Sequence, residues 1–272
     1  MDMAGIIMGM GRGIMWMGSK KIKVKKMLFS LKNLTKLVKA DKRQRNIYKY
    51  KLLNDIAHRY GWRLYSPRFS LWEHEEYNAA IKADGYTFND KKFMIYQLAK
   101  GVANLSGDTA ACGVFKGQGS WLITQAGGRN DRQHHIFDSF EGVSEPLVLD
   151  NHPDAGKHGW KKHDMSVPYD IVQAKFNNHP QVKLYKGWIP ERFSEVADRQ
   201  FSFVHIDVDL YEPTRDSVAF FYDKMQVGGI ILCDDDACPG TPGAMKGMDE
   251  FFADKRENVV TTVAGSGFVV KQ

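Results

Sequence analysis

Four carboxylates in the last third of the chain carry its densest chemistry: Asp207 and Asp209 in FVHIDVDLYEPT, then Asp234 and Asp235 in GGIILCDDDACPG. Each pair closes a run of apolar and β-branched residues, 201–208 and 229–233, that reads as a buried strand. Acids at the carboxyl ends of neighbouring parallel strands converge on the crevice where open α/β sheets hold ligands. Crowded there, they repel one another unless a proton or a cation intervenes. An all-oxygen donor set suits a hard ion of the magnesium type. By strand alternation Asp207, Asp209 and His205 share one face, and His205 is either an orienting group for the site or a hydrogen-bonded core residue. Cys233 and Cys238 flank the cluster, but magnesium does not take thiolates.

The elements that must position these acids alternate along the chain. Asn89-Asp90 opens a helix that runs to about residue 105. A strand over 109–114 breaks into GVFKGQGS, and a helix follows from about Ser120. A second strand, 135–137, ends at Asp138; a helix spans 167–177; a third strand, 182–185, leads into Lys186-Gly187-Trp188. After strand 201–208 comes a helix with Pro213 in its first turn, where a missing N–H costs little. Strand 229–233, a helix over 243–253 and a hairpin over 259–270, turning at Gly265-Ser266-Gly267, complete the order. Strand–helix alternation of this kind predicts an α/β fold with a mostly parallel sheet covered on both faces.

The loop Gly113–Ser120 follows the first strand and opens a helix. Gly113, Gly117 and Gly119 permit close backbone approach, and the helix start offers free N–H groups to an anionic group. Asp138 ends the next strand, where an acid either holds the two hydroxyls of a ribose or caps a helix. Loop and acid together favour an adenosine-containing ligand over free phosphate. Trp188, after the third strand, either stacks on an adenine or packs in the core.

Four motifs, FDSFEG (residues 137–142), KGWIPERF (186–193), HIDVDLYEPT (205–214) and CDD followed by PGAMKGMDEFF (242–252), resemble the macrocin O-methyltransferase family. Its members are metal-dependent sugar O-methyltransferases of macrolide and aminocoumarin biosynthesis. The resemblance covers about residues 90–272. It implies a class I S-adenosylmethionine-dependent methyltransferase fold, Rossmann-like, with a seven-stranded sheet ending in a reversed hairpin. It also implies magnesium ligation by Asp207, Asp234 and Asp235, with Asp209 as the catalytic base. The cofactor contacts expected within it are Gly113, Val114, Gly117 and Ser120 of the loop, Asp138 and Ser139 after the second strand, and Gly187 and Trp188 after the third. A sugar-containing acceptor and a homo-oligomer are implied as partners. The chain departs from the family pattern at Ala111, where a glutamate near the cofactor is usual. It departs again at Asp236, where an aromatic residue is common.

Composition bounds the rest. A chain of 272 residues with 43% apolar content builds one α/β domain plus an extension. Residues 89–272 are expected to form the methyltransferase domain, and residues 1–88 a basic, aromatic-rich helical extension that shapes the acceptor pocket. Between Lys20 and Lys51 stand thirteen Lys or Arg against one acid, Asp41, so the remainder is net acidic although the whole chain is +6. Met27, Leu31, Leu34 and Val38 form a helical stripe in that segment. The stripe either docks on the core or lies on an anionic surface. The GMGRG at 9–13 imitates a dinucleotide loop without the acid such a loop needs downstream. No signal peptide or membrane span is legible, and three cysteines without metal or disulfide spacing fit a cytoplasmic setting. The basic excess lies outside the expected core and no base-binding signature accompanies it, so nucleic acid is not the expected partner. Two alternatives share these features: a catechol-type phenol O-methyltransferase and a non-catalytic cofactor-binding protein.

Overall fold

The computed structural model describes residues 89–127, 131–151, 159–238 and 240–272. The helical extension expected over 1–88, its amphipathic stripe and the GMGRG segment lie outside the described residues. Helix α1 (Asn89–Gly101) precedes β1 (Asp108–Cys112), α2 (Gln118–Gln125) and β2 (His134–Asp138). Next come α3 (Tyr169–Lys175), β3 (Val182–Lys186), β4 (Phe201–Ile206) and α4 (Tyr211–Tyr222). Strand β5 (Met225–Cys233), helix α5 (Pro242–Phe252) and strands β6 (Val260–Thr261) and β7 (Gly267–Val270) end the chain.

The strands form the expected seven-stranded sheet in the order β3-β2-β1-β4-β5-β7-β6. Pairs β3·β2, β2·β1, β1·β4 and β4·β5 are parallel, while β5·β7 and β7·β6 are antiparallel. Every residue of β1 and β4 is buried. These strands are buried throughout because helices cover both of their faces, and the polar Asp108, Thr109, Ser202 and His205 are buried with them.

On one face Ala110, Cys112, Phe137, Phe201, Val204 and Ile206 pack under Val218 and Phe221 of α4 and Met248 and Phe252 of α5. On the other, Phe203 and Leu232 meet Ile95 and Ala99 of α1 and Leu122 of α2. Ala111 and Ile136 meet Val172 of α3 on that second face. A fully buried Phe or Ile contributes about 1.5–3 kcal/mol, so these layers fix the sheet on which the site stands. The first face is also tied down by Asp150, whose carboxylate accepts the Tyr211 N–H at the start of α4 (2.7 Å) and the Leu147 N–H (2.7 Å). α5 is drawn in close there, since a side chain at Gly243 would overlap Asp150.

The expected strands over 109–114 and 201–208 are shorter in the structure. The first stops at Cys112 because Gly113 turns into the left-handed region (φ 74°). The second stops at Ile206, and Asp209 is itself left-handed (φ 61°). His205, Asp207 and Asp209 therefore do not share one strand face: alternation holds only inside a ladder, and the chain has left the ladder at Asp207. The fifth strand begins earlier than expected, at Met225. It passes through the left-handed Gly228 (φ 83°), a conformation that apolar pattern alone does not signal.

Candidate active site

The register of the parallel strands builds the site. Cys112 of β1 lies opposite Phe137 of β2 and Ile206 of β4, and Ile206 lies opposite Cys233 of β5. The next residue of each strand, Gly113, Asp138, Asp207 and Asp234, consequently reaches the rim at one level. Backbone bonds hold that level: Asp207 N–H donates to the Cys112 carbonyl (2.8 Å), Asp234 N–H to Ile206 (2.8 Å) and Gly113 N–H to Phe137 (2.9 Å). The order reverses between β1 and β4, which is where an open α/β sheet leaves its crevice.

That crevice is a cavity of about 350 Å³, within the range of small-ligand sites. Its wall includes Gly113, Val114, Asp138, Ser139, Trp188, Asp207 and Asp209 from the expected set. Gly117, Ser120, Gly187, Asp234 and Asp235 are not part of the lining. Gly117 is left-handed (φ 78°) and faces Phe176 and Val172, and Gly187 N–H is tied to the Asp138 carbonyl (3.0 Å), so both shape loops beside the cavity. Ser120 lies buried inside α2. At Gly113 a side chain would overlap the Asp207 carbonyl oxygen, so the glycine loop and the acidic rim are in direct contact.

Asp138 clamps two loops, accepting the Val114 N–H (2.8 Å) and the Phe140 N–H (2.6 Å) on its two oxygens. Burial raises its pKa, with those N–H groups working the other way. Phe115 N–H also contributes, and a carboxylate with about four acceptor sites still has one left for a further donor, so the clamp and a hydroxyl-binding role are compatible. Ser139 accepts the Glu141 N–H and donates to the Gly142 carbonyl, both at 3.0 Å, fixing the turn beside Asp138. Ala111 sits under this region, fully buried among Val114, Ile136 and Phe140, and presents no polar group.

One oxygen each of Asp207, Asp234 and Asp235 lie within 4.8 Å of one another. Burial, followed by the Asp234 charge, pushes Asp207 up to about 7. Asp235 is raised well above the usual carboxylate range by burial and by Asp207. Burial opposes ionisation of Asp234 as well, but His205 and the Lys91 ammonium hold it down at about 2. His205 Nε2 stands 3.6 Å from Asp234 Oδ1, beyond hydrogen-bond range, and both atoms are buried without a hydrogen-bond partner. With the buried, unsatisfied Asp234 Oδ1 among them, the oxygens of these three acids fit a magnesium-type ion. Asp209 stands beside them, its N–H donating to Asp235 Oδ2 (3.3 Å). Burial and then Asp235 raise Asp209 well above the usual value.

Asp236 does not join the cluster. It is buried against Gly267, and burial together with Asp249 raises it to about 6. Sequence reasoning missed Lys91, whose Nζ donates to Asp234 Oδ2 (2.9 Å) and to the Asp234 carbonyl (2.6 Å). It also missed Met165, Glu212 and Asp216 in the cavity wall. Glu212 was within reach, three residues after Asp209 inside HIDVDLYEPT. Nothing local marks Lys91.

Known proteins resemble this chain in sequence and in fold. A Streptomyces olivaceus protein, 8-demethyl-8-(2,3-dimethoxy-alpha-L-rhamnosyl)-tetracenomycin-C 4'-O-methyltransferase, is 29% identical over 153 residues, which are 52% of this chain and 57% of the relative. Demethyldecarbamoylnovobiocin O-methyltransferase of Streptomyces niveus is 28% identical over 168 residues, 55% of this chain and 60% of the relative. The match thus spans less than two thirds of the length of either relative. Among solved structures, the O-methyltransferase NovP superposes with a TM-score of 0.55 at 24% identity, covering 66% of this chain and 79% of its own. The calicheamicin methyltransferase CalS11 superposes with a TM-score of 0.55 at 14% identity, covering 95% and 99%. These likenesses establish the class I methyltransferase fold. The macrocin-O-methyltransferase (TylF) family model matches residues 93–263, well over half of the sequence, and the chain belongs to that family.

Proposed function

We propose that this protein is an S-adenosylmethionine- and magnesium-dependent O-methyltransferase that acts on a sugar hydroxyl, borne by a glycosylated natural product, a nucleotide sugar or a polysaccharide. The observation that carries the reading is the shared register of the strand ends. It brings the glycine loop, Asp138 and Asp207 into the wall of one cavity, with Asp234 and Asp235 grouped behind Asp207. When bound, S-adenosylmethionine supplies an electrophilic methyl group and magnesium supplies Lewis acidity toward the acceptor hydroxyl.

The chain's own residues do the rest. Asp207, Asp234 and Asp235 would hold the ion. Gly113, Val114, Asp138, Ser139 and Trp188 would hold the cofactor, with Asp138 placed to receive ribose hydroxyls. Asp209 takes the proton released by the acceptor hydroxyl. Its burial and acidic neighbours make it a stronger base than an exposed aspartate. Positioning of two bound substrates contributes most of the rate. Gly117 and Gly187 support this site by fixing the loops.

The Streptomyces olivaceus relative is by its description an O-methyltransferase of a rhamnosyl-bearing tetracenomycin, which supports a sugar acceptor for this chain. Residues 1–88 are proposed as the acceptor-shaping extension ahead of a methyltransferase domain over 89–272, in a homo-oligomer. The basic stretch of that extension remains a candidate for weak contact with an anionic surface. Among the described residues no helix is long and apolar enough to cross a membrane, and three free thiols accord with a cytoplasmic setting.

The test combines calorimetry with S-adenosylmethionine and turnover on a panel of glycosides and catechols, with and without chelator. Cofactor binding with chelator-sensitive methylation of a glycoside is the expected result. No binding at millimolar cofactor ends the enzyme reading, a catechol preference replaces the acceptor, and full activity in chelator removes the metal.

A further inference from the structure

We infer that Lys91 is a built-in cation that neutralises the three-carboxylate site in its metal-free form and is displaced when a divalent ion binds. The inference rests on the metal reading proposed above. Lys91 lies 143 residues from Asp234 in sequence, yet its ammonium is 2.9 Å from Asp234 Oδ2 and 3.7 Å from Asp235 Oδ1. Those are two of the three acids that would hold the ion, and the Lys91 side chain is only 12% exposed.

Position within α1 argues that the contact is selected by the acids rather than by the helix. Lys91 stands in the first turn of Asn89–Gly101, where the helix dipole disfavours a cation. Burial disfavours the ammonium too. Two costs borne at one residue are offset by the carboxylates it meets. One ammonium brings a single charge to three carboxylates whose oxygens lie within 4.8 Å of one another. A divalent ion brings twice the charge to the same oxygens, and the two cations repel across them. Lys91 therefore keeps the metal-free site folded and weakens metal binding at the same time.

The experiment uses the full chain and Mn2+ alone as probe, with free Mn2+ followed by electron paramagnetic resonance in wild type, Lys91→Met and Lys91→Arg. Lys91→Met is expected to bind Mn2+ at least tenfold more tightly than wild type, about 1.4 kcal/mol, and to melt lower than wild type when metal-free. Lys91→Arg, which keeps the charge, is expected to stay within about threefold of wild type. A wild-type readout guards against a variant that does not fold: acetic anhydride labelling of Lys91, read by mass spectrometry, is expected to rise several-fold on adding Mn2+. Equal or weaker Mn2+ binding by Lys91→Met, or labelling that is unchanged or falls on metal addition, overturns the role of Lys91 and leaves the metal site standing. Absence of Mn2+ binding in wild type and both variants removes the metal site itself, and this inference with it.

Discussion

Replacing Asp207 by Asn in the metal-free protein should make it more stable at pH 8. Asp207 is pushed up to about 7 by burial and by Asp234, against 3.8 for the free side chain. A carboxylate whose folded pKa exceeds its unfolded value contributes nothing below about pH 4, where both states are protonated. It destabilises the fold increasingly as pH rises toward 7, and fully above it. A gap of about three pKa steps at 1.36 kcal/mol each sets a ceiling of ~4 kcal/mol. Asp235 and Asp234 share the repulsion and relax partly by taking up a proton, so the expected gain is on the order of 1–3 kcal/mol at pH 8. Urea unfolding in chelator, wild type against Asp207→Asn at pH 8, 6 and 4.5, measures it as a shift in midpoint at constant slope. The gain should shrink through pH 6 and fall to about a quarter of its pH 8 value at 4.5. Other titrations, such as buried His134, held down at about 3 by burial, are common to both proteins and cancel in the difference. Magnesium should reverse the order, because it stabilises only a protein that binds it. A variant less stable than wild type at pH 8 in chelator, or equally stabilised at every pH, refutes the claim that acidic crowding is stored at this rim.

Three further outcomes follow from the geometry. Asp209→Asn should lower turnover at least about a hundredfold while leaving Mn2+ affinity near wild type, and full turnover would remove Asp209 as the base. Gly113→Ala should cost about 3 kcal/mol, because φ is +74° and the new methyl group overlaps the Asp207 carbonyl; a thermal melt and cofactor calorimetry should fall together. Chelator should abolish methylation by wild type and magnesium should restore it, measured by methyl incorporation into a glycoside.

Much of this site was legible because strand ends advertise themselves. The runs before Asp207 and Asp234 are mostly apolar, the run before Asp138 is His-His-Ile-Phe, and each ends abruptly at an acid; acids at the ends of buried parallel strands have few places to point. The order of helices and strands, the terminal hairpin and the grouping of Asp207, Asp234 and Asp235 followed from that pattern. Fine backbone geometry did not. Alternation placed Asp207 and Asp209 on one strand face, whereas both lie past the last ladder residue and Asp209 is left-handed. An Asp in that conformation looks the same in sequence as one in a strand. Asp236 shows the same limit: third in a run of acids, it turns away because the hairpin glycine Gly267 leaves room for it. Lys91 was illegible for a different reason, since a contact across 143 residues leaves no local periodicity to read.

The register also explains why the departure at Ala111 is compatible with a working cavity. Ala111 precedes Cys112, the last residue of β1, and lies opposite Ile136 and His205. It is sealed under Val114, Ile136 and Phe140, below the level at which Gly113, Asp138 and Asp207 meet the cavity. An acid at that depth would need a polar partner to offset its burial; Val114, Ile136 and Phe140 offer none, and His205 is the polar residue in register with it. The loop is held here by Asp138, which ties Val114 to Phe140 through both carboxylate oxygens. Under the proposed function, Asp138 is expected to contribute more to cofactor binding than any group at position 111. Asp138→Ala should weaken S-adenosylmethionine binding far more than Ala111→Ser, and calorimetry showing the opposite ranking would place the missing acid's role elsewhere.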